Sequence, residues 1–170
     1  MKHRLWLMSG VPGSGKSTWI QEHLSYFAED MKVISRDAIR FSMVSEKENY
    51  FSKETEVFKE FVAQAVDSLS KNIDTLLDAT HINEGSRSKI LRALGENLKD
   101  VEVNIIVINA DLDTALGQNE LRKGNRTYVP RGAIRRMFLQ KTLPTIEEGF
   151  DNIYIYTKEE GKIKYQIINK

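Results

Sequence analysis

An α/β fold, with a mostly parallel sheet and helices on both faces, is what this sequence predicts, and three observations predict it. Short apolar runs alternate along the chain with longer amphipathic stretches, the pattern of strands joined by crossover helices. A glycine-rich segment links the first apolar run to the first helical stretch. Polar residues close the early strands at Ser9-Gly10, Ser35-Arg36-Asp37 and Asp78-Ala79-Thr80-His81, where parallel sheets gather their ligands.

Residues 5–8 (Leu-Trp-Leu-Met) form the first strand and residues 16 to about 27 a helix. Residues 31–35 are a short second strand ending at an Arg-Asp pair, with a helical turn over 38–43. Between residues 53 and 72, Val57, Phe58, Phe61, Val62, Ala65, Val66 and Leu69 recur at i, i+3, i+4 and i+7, which makes this stretch a core-facing helix. Residues 73–78 predict a buried strand ending in an acid, 84–98 a helix, and 101–109 a further strand. Asp111 or Asp113 caps a helix that reaches about residue 123, and Pro130 begins another, since proline suits a first helical position. The tail holds two β-rich runs, 153–157 and 163–168, separated by Lys-Glu-Glu-Gly-Lys, which predicts a hairpin on the sheet edge. No repeat or linker interrupts the series, so residues 1–170 are expected to form one domain with a small lid at about 119–131.

Hydrophobic content of 41% and charged content of 29% in 170 residues are those of a soluble globular domain with a real core. No apolar stretch approaches the ~20 residues that cross a bilayer, and the first residues are too short for a signal peptide. With no cysteine there is neither a disulfide framework nor thiolate chemistry. A cytoplasmic protein without a membrane partner is therefore expected. The net charge of +1 hides an asymmetry: Arg122, Lys123, Arg126, Arg131, Arg135, Arg136 and Lys141 follow one another without an intervening Asp or Glu. Such a run calls for an anionic partner, a triphosphate or a polynucleotide backbone, unless it is only a solvated basic helix face.

The glycine-rich segment, Gly10-Val-Pro-Gly13-Ser14-Gly15-Lys16-Ser17-Thr18, is a complete Walker A loop. Its glycines allow successive N–H groups to turn inward as a nest for phosphates, and the helix that follows presents its positive dipole end. Lys16 is placed to reach the β- and γ-phosphates and Ser17 to offer a hydroxyl to Mg²⁺. This defines a P-loop NTPase or kinase that takes ATP, or another nucleoside triphosphate, with Mg²⁺. A guanine-reading Asn-Lys-x-Asp signature is absent, and the chain has no room for a second ATPase lobe.

Among the strand-end residues, Asp37 is a candidate general base for an acceptor hydroxyl, with helix N-capping as its other role. Arg40 lies three residues further on and projects to the same side of a helical turn. Asp78 could act as the Walker B ligand through a Mg²⁺-bound water. Thr80, His81 and Asn83 shape the adjoining turn, His81 as a hydrogen-bonding wall residue rather than a base or ligand.

Taken together, the Walker A loop, Ser35-Arg-Asp37-Ala-Ile-Arg40, Asp78-Ala-Thr-His-Ile-Asn-Glu-Gly-Ser-Arg87, Asn119-Glu-Leu-Arg122 and Val129-Pro130 resemble the kinase domain of the phage-type polynucleotide 5′-hydroxyl kinases and their AAA-like small-kinase relatives. The resemblance spans roughly residues 3–141. It implies that Asp37 is the base, that Arg40 contacts the acceptor's phosphate, that Asp78 orients Arg40 and lines the acceptor pocket with Thr80, and that Arg122 is a lid arginine bridging the transferring group. The gap from Arg122 to Pro130 is longer than the family's, which makes Arg126 a substitute or second clamp. The activity implied is transfer of the γ-phosphate of ATP to a nucleic-acid 5′-hydroxyl end, as in end repair; with no length for a phosphatase or ligase domain, such a partner enzyme would be another chain. A small-molecule, nucleoside or sugar-nucleotide kinase, including a zeta-toxin-like one, is the alternative, and a non-catalytic nucleotide-binding module is a third. DNA or RNA preference and oligomeric state stay open.

Overall fold

The computed structural model describes residues 2–27 and 29–170. In chain order the elements are β1 (Arg4–Ser9), α1 (Lys16–His23), β2 (Lys32–Ser35), α2 (Arg36–Met43), α3 (Glu54–Ser70), β3 (Thr75–Asp78), α4 (Glu84–Leu94), β4 (Glu102–Ala110), α5 (Leu112–Glu120), α6 (Arg131–Gln140), β5 (Asn152–Glu159) and β6 (Lys162–Asn169). The strands form one sheet in the order β2-β3-β1-β4-β5-β6, the first five parallel and β6 antiparallel to β5. The expected hairpin thus closes one edge. Its two loop residues, Glu160 and Gly161, both have positive φ (49° and 73°), the signature of a type I′ turn that matches strand twist.

Alternation along β1 shows how the sheet is covered. Leu5 and Leu7 point to a core shared with Val57, Phe61, Ala65 and Leu69 of α3 and Ile90 and Leu94 of α4. Trp6 and Met8 point to the other face, against Trp19 and Ile20 of α1. On α3 the buried apolar line is Val57, Phe61, Ala65 and Leu69, four residues apart, while Phe58, Val62 and Val66 lie at its margins and are only partly buried. Burying Phe61 completely stabilises the fold by about 1.5–3 kcal/mol.

Several ends differ from the sequence expectation. The first helix stops at His23 and continues as a 3₁₀ turn, Leu24–Tyr26. The fourth stops at Leu94, where Gly95 turns the chain with φ 47° into a second 3₁₀ segment. Asp111, and not Asp113, caps α5, accepting from Thr114 N at 2.7 Å. That helix ends at Glu120 and residues 121–127 are turns. Pro130 is the residue before α6, its carbonyl accepting from Ala133 N. Among the described residues no helix is long and apolar enough to cross a membrane.

The carboxyl ends of the strands meet at one place. Ser35 and Asp78 are register partners across β2 and β3. Gly10 N donates to Thr80 O at 2.8 Å, and Ser9 Oγ to His81 O at 2.9 Å, tying the glycine-rich loop to the turn after β3.

Candidate active site

The Walker A loop owes its shape to backbone crowding. A Cβ on Gly13, whose φ is +82°, would lie 2.3 Å from the Ala115 carbonyl oxygen, so the loop can rest on α5 only with glycine there. A Cβ on Gly10 would meet Ser14 Oγ at 2.5 Å and Ile108 O at 2.9 Å. Gly15 (φ 101°) is the residue before α1, and the backbone N–H groups of Gly15, Lys16, Ser17 and Thr18 find no acceptor among the described residues. Unpaired N–H groups converging at a helix start are the donor set an oligophosphate satisfies. Ser14 is the exception in the loop, being buried with its N–H closed onto Val11 O at 3.1 Å. Lys16 Nζ donates to the carbonyls of Gly10 (2.7 Å) and Val11 (3.1 Å), which holds the ammonium over the loop. Burial brings its pKa down to about 8, against the pull of Asp78 and Asp37, with Arg122 adding to the depression.

The opposite wall comes from α2 and the start of α3. Ser35 Oγ accepts from Ala38 N at 3.1 Å, so Ser35 caps α2 and Asp37 does not serve as the cap. The Asp37 carboxylate is thereby left for tertiary contacts. Arg40 is buried, 5% exposed, instead of lying on the surface. It pairs bidentately with Glu54 (Nε to Oε1 2.7 Å, Nη2 to Oε2 3.1 Å), and its Nη1 donates to Asp37 Oδ1 and to the Tyr50 phenol oxygen at 2.8 Å. The phenol in turn donates to Asp37 Oδ1 at 2.6 Å. Arg36 Nη2 completes the cluster on Glu54 Oε2 at 3.2 Å. Burial works against the charge of Arg40, but Glu54, Tyr50 and Asp37 outweigh it and its pKa stands above the ordinary guanidinium value. Two guanidiniums and two carboxylates leave the wall formally neutral.

Asp78 is brought to the site but does not orient Arg40. Glu54 takes that task, because the first turn of α3 packs across α2 while the Asp78 carboxylate makes no hydrogen bond among the described residues. Burial raises the Asp78 carboxyl, opposed by Lys16 and reinforced by Asp37. Thr80 contributes its carbonyl to Gly10 and lines the cavity. His81, at φ 40°, is buried with Nδ1 2.7 Å from Met8 O, and burial lowers its pKa to about 4, as befits a neutral wall residue.

In the segment expected to be a lid, Asn119 is completely buried and pairs with the Val129 backbone in both directions, its Nδ2 donating to Val129 O at 2.7 Å and Val129 N donating to its Oδ1 at 3.0 Å. This side-chain amide acts as a strand-like clamp that pinches residues 120–128 into a loop. Arg122 lines the same cavity as Lys16, Asp37 and Arg40. Arg126 is turned away, its guanidinium on the carbonyls of Phe41 and Val44 and 4.6 Å from the Phe41 ring, so it fastens the lid to the end of α2. The basic run divides accordingly. Arg131 pairs with Glu120 and Lys141 donates to Asn109, while Lys123, Arg135 and Arg136 are exposed.

Lys16, Ser17, Asp37, Asp78 and Arg122 therefore share one cavity of about 210 Å³. Sequence reasoning missed Arg36, Tyr50, Glu54 and the clamp formed by Asn119. The signal for Glu54 was present in the stretch between residues 46 and 60, which leans acidic and supplies a second counter-ion for a buried arginine beside Asp37. No group of three acidic or histidine residues that could hold a metal unaided occurs among the described residues. A Mg²⁺ ion would rely on Ser17 and a neighbouring carboxylate, with phosphate oxygens and water completing an octahedral shell.

Among solved structures the fold is similar to a chain of the Pnkp1/Rnl/Hen1 RNA repair complex (TM-score 0.68, 18% identity), over 81% of this chain and 43% of that one. The chain thus spans less than half the length of that protein. It is similar to Kti12 of Chaetomium thermophilum, solved with ADP-AlF3 (0.68, 15%, covering 89% and 87%), and to a sugar kinase from Janibacter sp. HTCC2649 (0.65, 12%, covering 91% and 85%). At these identities the likeness is one of fold. No curated protein matches the sequence. Residues 5–144 match the AAA domain family, and with the Walker A loop and the parallel sheet in place the chain belongs to that family, with the fold of a nucleotide-binding P-loop kinase.

Proposed function

We propose that this chain is an ATP-dependent phosphotransferase that moves the γ-phosphate to a 5′-hydroxyl end of a nucleic acid. The observation that carries the reading is that Asp37 faces, across a single cavity, the loop that holds Lys16 and the lid that presents Arg122. Phosphoryl transfer needs positioning and charge neutralisation more than covalent assistance. Lys16 and the free N–H groups at the start of α1 hold the donor, Arg122 neutralises charge developing on the transferring group, and Asp37 takes the proton of the attacking hydroxyl. Ser17 would hold a Mg²⁺ ion, which would supply further charge neutralisation when bound. The exposed Lys123, Arg135 and Arg136 offer a track for a polynucleotide backbone outside the cavity.

A second reading, a small hydroxylated acceptor, is favoured by one feature: the N–H groups of Arg40 are engaged by Glu54, Asp37 and Tyr50, so the acceptor wall presents little free positive charge. Incubation with γ-labelled ATP and Mg²⁺ decides between them, using 5′-OH DNA and RNA oligonucleotides in one arm and nucleosides, sugars and small alcohols in the other. Label in the oligonucleotide arm that disappears in Asp37→Asn, with ATP affinity retained, is the expected result. Label confined to the small acceptors would replace the first reading by the second.

A further inference from the structure

Tyr50 stands where an acceptor hydroxyl must stand. Its phenol donates a 2.6 Å hydrogen bond to Asp37 Oδ1, the contact that a nucleophilic hydroxyl makes with a carboxylate base before transfer. The residue lines the same cavity as Lys16, Ser17 and Arg122. The ring is held from several sides. Arg40 Nη1 donates to the phenol oxygen at 2.8 Å, the guanidinium carbon lies 4.4 Å from the ring centroid, and Phe41 and Phe51 pack edge-on at 6.2 and 4.7 Å. Burial and the neighbouring Asp37 push the phenol above its ordinary pKa, so the group keeps its proton at neutral pH and needs a base to lose it.

We propose that Tyr50 is a second phosphoryl acceptor of this site, phosphorylated by the chain that carries it. The proposal rests on the reading of Asp37 as the general base. In the step, the Tyr50 O–H bond breaks and its proton passes to Asp37. The phenol oxygen forms a bond to the γ-phosphorus of ATP, and the bond from that phosphorus to the β–γ bridging oxygen breaks, its electron pair leaving with ADP. The product carries about −1.5 to −2 charges at neutral pH, next to Arg40, whose Nη1 already touches the phenol oxygen, and to Arg36 on the same wall. Both guanidiniums are now paired with Glu54 and Asp37, so holding the phosphotyrosine requires Arg40 to exchange its bond to Asp37 for one to the phosphate. The added group fills the space between Asp37 and the Walker A loop, which closes the modified protein to any outside acceptor.

The test is incubation of the purified chain with γ-labelled ATP and Mg²⁺ without added acceptor, followed by peptide mass spectrometry. The expected product is one phosphate on the peptide containing Tyr50, formed at a rate per molecule that does not change with protein concentration. Tyr50→Phe, which keeps the ring packing, should abolish it; Asp37→Asn should abolish both this label and transfer to outside acceptors. Tyr26→Phe, altering an exposed ring outside the cavity, should leave the label in place. Transfer to an outside acceptor with no label on Tyr50 would overturn this proposal and spare the proposed function. Label on Tyr50 that survives Asp37→Asn would overturn the step as written, and absence of all transfer would overturn both readings.

Discussion

Raising the pH through 8 should loosen nucleotide binding, and the size of the effect follows from Lys16. Burial holds its ammonium at a pKa of about 8 in place of 10.5, while the two nearby carboxylates only partly restore it. A polyphosphate binds the protonated form, so above pH 8 binding must take up a proton and the affinity falls with the protonated fraction. The dissociation constant is expected to double near pH 8 and to be roughly tenfold higher at pH 9 than at pH 7, about 1.4 kcal/mol. A lysine with an ordinary pKa would leave affinity almost unchanged over that interval. The assay is a fluorescence or calorimetric titration with a non-hydrolysable ATP analogue between pH 7.5 and 9.5 at fixed ionic strength, where the phosphates are already fully ionised. Lys16→Arg, whose guanidinium stays charged throughout, should bind more weakly but with a flat pH profile. A wild-type dissociation constant constant within twofold up to pH 9 would refute the argument, and an equal slope in Lys16→Arg would move its cause elsewhere.

The lid makes a sharper distinction between two arginines. Arg122→Ala should lower turnover by about 10³ or more if it neutralises the transferring group, whereas Arg126→Ala, which only unfastens the lid from α2, should cost far less; steady-state kinetics showing equal losses would contradict this division. Arg87 is completely buried and holds Glu148 bidentately (2.7 and 3.2 Å), together with the carbonyls of His81 and Thr142. Arg87→Met should therefore destabilise the fold by about 3–5 kcal/mol in urea denaturation, with part of the loss recovered when Glu148→Leu is added; a loss under 1 kcal/mol would show that the pair is not holding the turn after β3.

The donor half of the site was legible because it is local. A strand, a loop with glycine at fixed positions and a helix start specify the nest within nine residues, and Gly13 is required where the loop rests on Ala115. Asp37 and Asp78 could be placed because strand ends in a parallel sheet converge, here through the Ser35–Asp78 register. The acceptor wall was not legible in the same way. Glu54 and Tyr50 reach Arg40 and Asp37 across the docking of α3 on α2, and no periodicity reports which of several acids in a polar stretch will face a buried arginine. Asn119 illustrates an intermediate case. The sequence singled out its block, but the two bonds to Val129 form only when residues ten apart close a loop.

The distribution of charge separates the two halves of the site. Lys16 and Arg122 have no carboxylate salt bridge among the described residues, so their charge remains available to a polyphosphate. Arg36 and Arg40, by contrast, are matched by Glu54 and Asp37 within hydrogen-bond distance. A matched wall attracts an incoming phosphate weakly, and under the proposed function an acceptor hydroxyl has to take over the hydrogen bond that Tyr50 now makes to Asp37. Under the proposed function, recognition of an acceptor's backbone charge would fall to the exposed Lys123, Arg135 and Arg136, which do not line the cavity. On this division salt should weaken binding of a long acceptor through those three residues while leaving the chemistry between Lys16 and Asp37 unaffected, because exposed charges are screened over about 8–10 Å at physiological ionic strength and buried ones much less.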